Sequence, residues 1–383
     1  MSDGSVVIDR VGSGISLVGE EYDHKQDLDR RLALFQELEN EFLKRFGVAK
    51  DSLSKLDDGS DDALLTIHDV LDALDVPSNI VTKMVSESRV LHGLGHADSR
   101  ELEEILHLHG TTTVSTERNL GNASNSTGEG IADTTGEMTN DDVEKVIVRL
   151  RHGCEGTLAR ILFESLADNE HCDQTSCLGW SLAVLSINWC PALIDASLVK
   201  PVLRKRQHLR RGEQNDRQII ESDEGQNYDD DTEIPVWSNH VDGDGVVTLH
   251  VPGALAKRDK IAELRRSLNE ECEFIKNIDS NIDTERSSSL GTRSMIVYVG
   301  DSSTDLAALL EADIGIIMGK SSSTFMIAER WGIQIFPLQH RGKHGFRDTL
   351  LDDNSKRSKN HLWQVESWQE IDDMLRELDE YWA

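Results

Sequence analysis

The sequence predicts an α/β protein built on a parallel sheet, and three stretches near its carboxyl end carry that prediction. Met295–Val299, Ile314–Met318 and Ile333–Pro337 are short apolar runs rich in β-branched residues, the signature of buried strands. The intervening stretches are helical in pattern, with Leu306, Leu309 and Leu310 on one face of the first and a second over Thr324–Trp331. Strand, helix, strand, helix, strand is a doubly wound order, and such sheets bind ligands beyond the carboxyl ends of their strands. Gly300 stops the first strand. The loop after it carries two carboxylates, Asp301 and Asp305, and Ser303 or Thr304 is placed to cap the next helix.

Bulk properties bound what such a sheet serves. The chain has 383 residues, enough for more than one domain and a sizeable core. Lys and Arg total 40 against 70 Asp and Glu, a net charge of −30, which opposes general binding to nucleic acid or to an anionic membrane. The five cysteines, Cys154, Cys172, Cys177, Cys190 and Cys272, form no Cys-x-x-Cys pair and fit reduced thiols. The first residues lack a basic region and a long apolar core, and no later run reaches the length of a membrane span. The expectation is a cytoplasmic protein.

The remaining elements follow in chain order. Residues 1–27 are polar and rich in Gly and Ser, a flexible lead-in with one apolar patch at Val6–Ile8. Residues 28–109 read as a helical module. Leu28, Leu32, Phe35, Leu38, Phe42 and Phe46 step by three or four. Leu64, Ile67, Leu71 and Leu74 predict a second helix ended by Pro77, and Ile80–Leu91 a third ended by Gly93. Residues 110–140 are poor in apolar side chains and read as a disordered insertion. Its two sequon-type asparagines, Asn122 and Asn125, lack a secretory context. From residue 141 the pattern returns to helix, then to the strand-length run Ser181–Ile187. The basic cluster Arg204–Arg211 and the acidic stretch Glu221–Asp231 predict a solvated charged insertion at about 200–232. Val236–Val251 predicts a hairpin turning at Asp242-Gly243-Asp244-Gly245, since the closing Glu of a calcium loop is absent. A helix is expected over Asp259–Phe274.

Two readings compete for Gly300-Asp301-Ser302-Ser303-Thr304-Asp305. Carboxylates at the start of a helix favour its dipole and need no ligand. Two hard carboxylates four residues apart at a loop also suit magnesium, which takes few protein oxygens and keeps water for a phosphate to displace. Other motifs fail: Gly315 is one residue too close to Gly319-Lys320-Ser321 for a Walker loop, and His92, His96, His107 and His109 lack a zinc spacing.

The hexapeptide resembles the fourth signature motif of haloacid-dehalogenase-type (HAD) phosphohydrolases, and two more candidates stand in the family's order. VLSINW ends an apolar strand in Ser186, whose hydroxyl suits a phosphoryl oxygen. AKRDKIAEL offers Lys260 at a helix start, with Lys257 in reserve. The runs LDALDVPSNIVTKMVSESRVLHGL, NWCPALIDA, SNHVDGDG, GIQIFPL and VESWQEIDDML resemble a eukaryotic HAD branch that includes the phosphatase portion of plant thiamin monophosphate phosphatases and related fungal proteins. The resemblance spans most of residues 60–110 and 143–380. It implies a Rossmann-like three-layer HAD core over residues 141–383 under a helical cap. It further implies a Mg2+ cofactor on Asp301 and Asp305, phosphate binding by Ser186 and Lys260, and a small phosphorylated substrate.

One departure bears on catalysis. The family opens with Asp-x-Asp-x-Thr/Val, the first Asp attacking phosphorus and the second protonating the leaving oxygen. Here the nearest stretch is Val7-Ile8-Asp9-Arg10-Val11, where Asp9 stands as the candidate nucleophile and Val11 replaces the acid. Two outcomes stay open: a working phosphomonoester hydrolase, or a HAD-fold phosphate-binding or regulatory protein that does not turn over. Ser5–Asp9 is the expected first core strand unless an equivalent precedes Met1.

Overall fold

The computed structural model of the protein describes residues 24–54, 66–93, 150–171, 180–215, 233–279, 294–338 and 361–382. Two long helices open the described chain, α1 (His24–Ser54) and α2 (Ile67–Ser88). A capping box between Thr66 and Asp69 starts α2, and Arg89 at φ 55° ends it. The expected break at Pro77 does not occur, and α2 runs straight through it. Burial on both sides holds it together: Val70, Leu71 and Leu74 lie in one apolar cluster, Val81 and Val85 in another. The second of these clusters joins α2 to Leu38 of α1 and to Cys190, Leu193 and Val241 further along the chain.

The body of the molecule is a four-stranded parallel sheet with helices on both faces. Its strands are β5 (Val297–Gly300), β6 (Ile314–Met318), β7 (Gln334–Pro337) and β8 (His361–Val365), in the order β5-β6-β8-β7. The three strands read from the sequence are all present. The fourth, β8, was not expected, and it lies between β6 and β7. Side chains alternate across β6 as a pleat requires. Ile314, Ile316 and Met318 face a cluster with Leu158, Ile161, Val202, Ile371 and Met374, while Ile317 faces another with Leu71, Ile261, Leu306 and Ile327. The first cluster is supplied by α3 (Cys154–His171), α5 (Lys200–Asn215) and α9 (Trp368–Trp382), the second by α2, α6 (Ala254–Asp279), α7 (Leu306–Glu311) and α8 (Ser322–Arg330). The fold is therefore mixed α/β in three layers.

A second, two-stranded parallel sheet pairs β1 (Val184–Leu185) with β2 (Val236–Trp237). Val184 and Val236 pack into the first cluster and Leu185 into the second, so this pair lies in the same layer as the larger sheet without hydrogen-bonding to it. Two expectations are corrected here. The run Ser181–Ile187 yields only a two-residue strand. The hairpin is shorter than Val236–Val251, because Val236 and Trp237 are drawn to β1 and only β3 (His240–Val241) and β4 (Val247–Thr248) pair antiparallel. Its turn packs on the end of α2: a Cβ at Gly245, φ +79°, would sit 2.5 Å from the His92 nitrogen.

After β1 the chain forms the short helix α4 (Pro191–Ile194), a π turn over Asp195–Val199 and then α5. The basic cluster expected in a solvated insertion lies on α5 instead. Val202 and Arg206 are wholly buried there, because Val199, Val202 and Leu203 form an apolar stripe against the sheet. Residues 216–232, the insertion at 110–140 and residues 1–23 with Asp9 lie outside the described residues, and α1 begins at His24, inside the lead-in expected over residues 1–27. Among the described residues, Cys154, Cys190 and Cys272 are free thiols, and no helix is long and apolar enough to cross a membrane.

Candidate functional site

The carboxyl ends of both sheets converge on the first turns of α6. Strand β5 ends at Gly300, where a Cβ would lie 2.4 Å from the Asp305 Cβ, so the loop folds back on itself only because that residue is glycine. Ser302 then starts a single 3-10 turn, Ser303–Asp305, closed by a capping box between Ser302 and Asp305, before α7 begins.

Asp305 is the centre of this arrangement and is almost fully buried. Its Oδ1 accepts hydrogen bonds from Lys257 Nζ at 2.6 Å and from the Tyr298 hydroxyl at 2.8 Å. Its Oδ2 accepts from the Ser302 hydroxyl at 2.7 Å and from the backbone N–H groups of Ser302 at 3.1 Å and Asp301 at 3.2 Å. Burial by itself would raise the Asp305 pKa, yet the Lys257 charge and hydrogen bond, with the Ser302 and Tyr298 hydroxyls, bring it below the ordinary carboxylate value. Burial, followed by the neighbouring Asp305 charge, drives the Tyr298 phenol upward, so that it stays a donor.

Asp301 is the opposite kind of carboxylate. Its side chain is 60% exposed, and one oxygen stands 3.4 Å from the Arg151 guanidinium. Arg151 also lies over the end of β6, where a Cβ at Gly319, φ +81°, would meet its Nη1 at 3.1 Å. The two acids of the hexapeptide thus part company: Asp305 fixes the loop from inside, and Asp301 presents a carboxylate to solvent. A hydrated magnesium would find one exposed carboxylate on this braced loop, Asp301, with one oxygen facing the Arg151 guanidinium and the other open. Both oxygens of Asp305 are occupied by donors, so it fits a role behind that ligand. Among the described residues, no group of three or more His, Cys, Asp or Glu side chains gathers to hold a metal.

Of the two candidate lysines, Lys257 is buried against Asp305 and also reaches Thr304 Oγ1 at 3.4 Å. Lys260, one turn further along α6, is partly open, 3.0 Å from Glu263, with its ammonium 4.9 Å from the centre of the Trp237 ring. Trp237 ties this to Ser186, whose N–H donates to the Trp237 carbonyl at 2.9 Å. The Ser186 hydroxyl accepts from the Asn188 N–H at 3.1 Å and keeps its own hydrogen for a further acceptor. Ser186, Trp237, Lys260, Lys257, Asp305 and Asp301 therefore form one continuous edge. Asp9 is not among the described residues.

Three residues that brace this edge escaped the sequence. Tyr298 is the sole phenol of the run Met295–Val299, and its only signal is a hydroxyl in an otherwise apolar strand. Arg151 has none. Asp75 sits in the apolar stripe Leu71-Leu74-Asp75, which was signal enough, and its carboxylate accepts from the Ala254 N–H that begins α6 at 2.6 Å.

No family model matches the chain, and no solved structure matches it. Among curated proteins, the "Bifunctional TH2 protein, mitochondrial" of Arabidopsis thaliana is 38% identical over 80 residues, 20% of this chain. Those residues span 13% of the plant protein's own length, so the similarity belongs to a segment of each.

Proposed function

We propose that the protein is a HAD-type phosphomonoester hydrolase of the cytoplasm, with a small phosphorylated metabolite as substrate and magnesium as cofactor. The observation that supports it most is the convergence of Ser186, Lys260 and the Asp301–Asp305 loop at the carboxyl ends of parallel strands, where the sheet class binds ligands. The partial match to the plant bifunctional protein supports the phosphatase part of this reading.

In this reading Ser186 donates its hydroxyl hydrogen to a phosphoryl oxygen, and Lys260 balances the negative charge beside it. Trp237 holds the Lys260 ammonium over its ring face until the anion arrives. Asp301 would hold magnesium, which when bound would neutralise charge on the phosphoryl oxygens. Asp305 keeps the Asp301 and Ser302 amides in place, and Lys257 keeps Asp305 ionised. Asp9 is the candidate nucleophile. The helical module of α1 and α2 covers the core, and thiamin monophosphate is the first substrate to try, on the resemblance over most of residues 60–110 and 143–380 alone.

Phosphate release from an aryl phosphate and from thiamin monophosphate, with magnesium, tests the proposal. Activity is expected in the wild-type chain and a loss on the order of a hundredfold or more in Asp301→Asn. A second reading, phosphate binding without turnover, is favoured by Val11 at the position of the family's general acid. Calorimetric binding of inorganic phosphate without hydrolysis selects it, and neither binding nor release refutes both.

A further inference from the structure

Helix α6 carries both lysines of the candidate site in its first two turns, and its start is unusual. The residue before it, Gly253, has no side chain with which to cap the exposed backbone N–H groups. The cap comes instead from Asp75, 179 residues earlier in the chain and in the middle of α2. Its carboxylate lies 2.6 Å from the Ala254 nitrogen. Gly253 makes room for it, because a Cβ there would stand 2.0 Å from Asp75 Oδ2 and 2.1 Å from its Cγ. Three groups fit one another here: an acid in α2, a glycine that clears its path, and a helix end aimed at it.

The acid is out of place in every other respect. It follows Leu74 in the apolar stripe of α2, and at 7% exposure it is buried in an otherwise hydrophobic contact between helices. Burial pushes its pKa up to about 6, with the Ala254 amide and the Lys257 charge opposing the rise and Asp72 adding to it. An apolar residue would be easier to bury. A carboxylate kept under those conditions serves something other than stability.

We infer that Asp75 is a positioning residue of the site: the helical module reaches across to hold the first turn of α6, and through it Lys257 and Lys260, in register with the Asp301–Asp305 loop. The inference rests on the proposed function for its meaning and on the ligand-free geometry for its test. The Lys257 amide donates to the Gly253 carbonyl at 3.2 Å, the same residue whose neighbour Asp75 grips, so a shift at Gly253–Ala254 is transmitted directly to the Lys257 backbone. Any movement of α2 against the core would change the placement of the lysines. The helical module thereby senses, and sets, the state of the anion site.

The experiment compares wild type with Asp75→Asn, Asp75→Ala, Gly253→Ala and the double variant Asp75→Ala/Gly253→Ala in the full chain. Two ligand-free readouts are amide hydrogen exchange at residues 254–257 and reductive methylation of Lys257 followed by mass spectrometry. Asp75→Ala is expected to speed exchange at those amides about tenfold or more, as loss of a charge-assisted hydrogen bond would, and to open Lys257 to methylation. Asp75→Asn keeps an acceptor and is expected to stay within about twofold of wild type. Gly253→Ala, which expels the carboxylate, should reproduce Asp75→Ala, and the double variant should be no worse than either single one. The third readout is affinity for inorganic phosphate, expected to weaken about tenfold in Asp75→Ala and Gly253→Ala and to be rescued in Asp75→Asn. Unchanged exchange and methylation in Asp75→Ala and Gly253→Ala overturn the inference. Faster exchange with unaltered methylation, or with phosphate affinity left at the wild-type level, reduces Asp75 to a structural cap and overturns it as well. Failure of the wild type to bind phosphate refutes the proposed function instead, while exchange and methylation still decide whether Asp75 places Lys257.

Discussion

Two buried carboxylates in this protein, Asp305 and Asp75, answer to the same physics with opposite signs. Asp305 is held by Lys257 and by hydroxyl and amide donors, so its folded pKa lies below its unfolded one. Such a group adds stability above the unfolded value, about 3.9, and loses it as pH falls through the folded value. Asp75 is raised to about 6 by burial, so what it adds is present below about 3.9 and lost as pH rises toward 6. Lys257 is the shared element, since its charge lowers both. We expect Lys257→Met to destabilise the fold by about 3–5 kcal/mol at pH 7, because a buried carboxylate is then left without its counter-ion. The deficit should shrink as pH falls toward 4, where Asp305 in the variant takes up a proton. Asp75→Asn should instead abolish the decline between about pH 4 and pH 6 and leave the chain at least as stable as wild type at pH 7. Urea unfolding of the three proteins from pH 3.5 to 7.5 measures both effects. Equal loss in Lys257→Met at all pH values would show that packing, not charge, is what the lysine contributes.

At the scale of elements, α7 approaches β6 closely because position 315 is glycine. A Cβ on Gly315 would sit 2.3 Å from the Leu309 carbonyl oxygen and 2.7 Å from a Leu362 methyl, so Gly315→Ala must move helix or strand. The expected cost is about 1–3 kcal/mol by thermal or urea unfolding, the range for overpacking a core. Gly332→Ala is the control, with no atom within 4 Å of the added carbon and only the strain of φ +66° to bear. A smaller loss at Gly315 than at Gly332 would refute the tight contact. Elements of this kind were legible where their cause is local. Ile314–Met318 was read residue for residue, because five buried apolar positions in a row leave one interpretation. Strand β8 was missed because His361, Trp363 and Gln364 are only partly buried and mask the run. The start of α6 was placed five residues late, since the acid that caps it comes from another helix. Lys257 and Lys260 were inseparable for the same reason: three residues apart on one helix, they differ only in what lies opposite, a carboxylate for one and an indole for the other.

For the whole molecule, the unjoined sheets carry the largest consequence. Among the described residues, strands β1 and β5 each have one hydrogen-bonded neighbour, β2 and β6 respectively, while their side chains feed the same two apolar clusters. Two strand edges in one layer of a shared core that pair with no other described strand leave room for a further one, and backbone groups turned into such a core need partners. A strand buried on both faces reads as a continuous apolar, β-branched run, and Val6-Val7-Ile8 is such a run. Seated between β1 and β5 it would join the two sheets into one of seven strands. Asp9 would then stand at the edge between Ser186 and Asp301 and would give the proposed hydrolase its nucleophile. Amide exchange over Ser5–Asp9 in the full chain tests this directly. Protection comparable to β6 is expected, together with its loss, and a loss of protection in β1 and β5, when Val7→Pro removes a donor and breaks the ladder. Free exchange over Ser5–Asp9 in a cooperatively folded chain would remove Asp9 from the site. A Val7→Pro chain with unaltered stability would do the same, and the phosphate-binding reading without turnover would then stand alone.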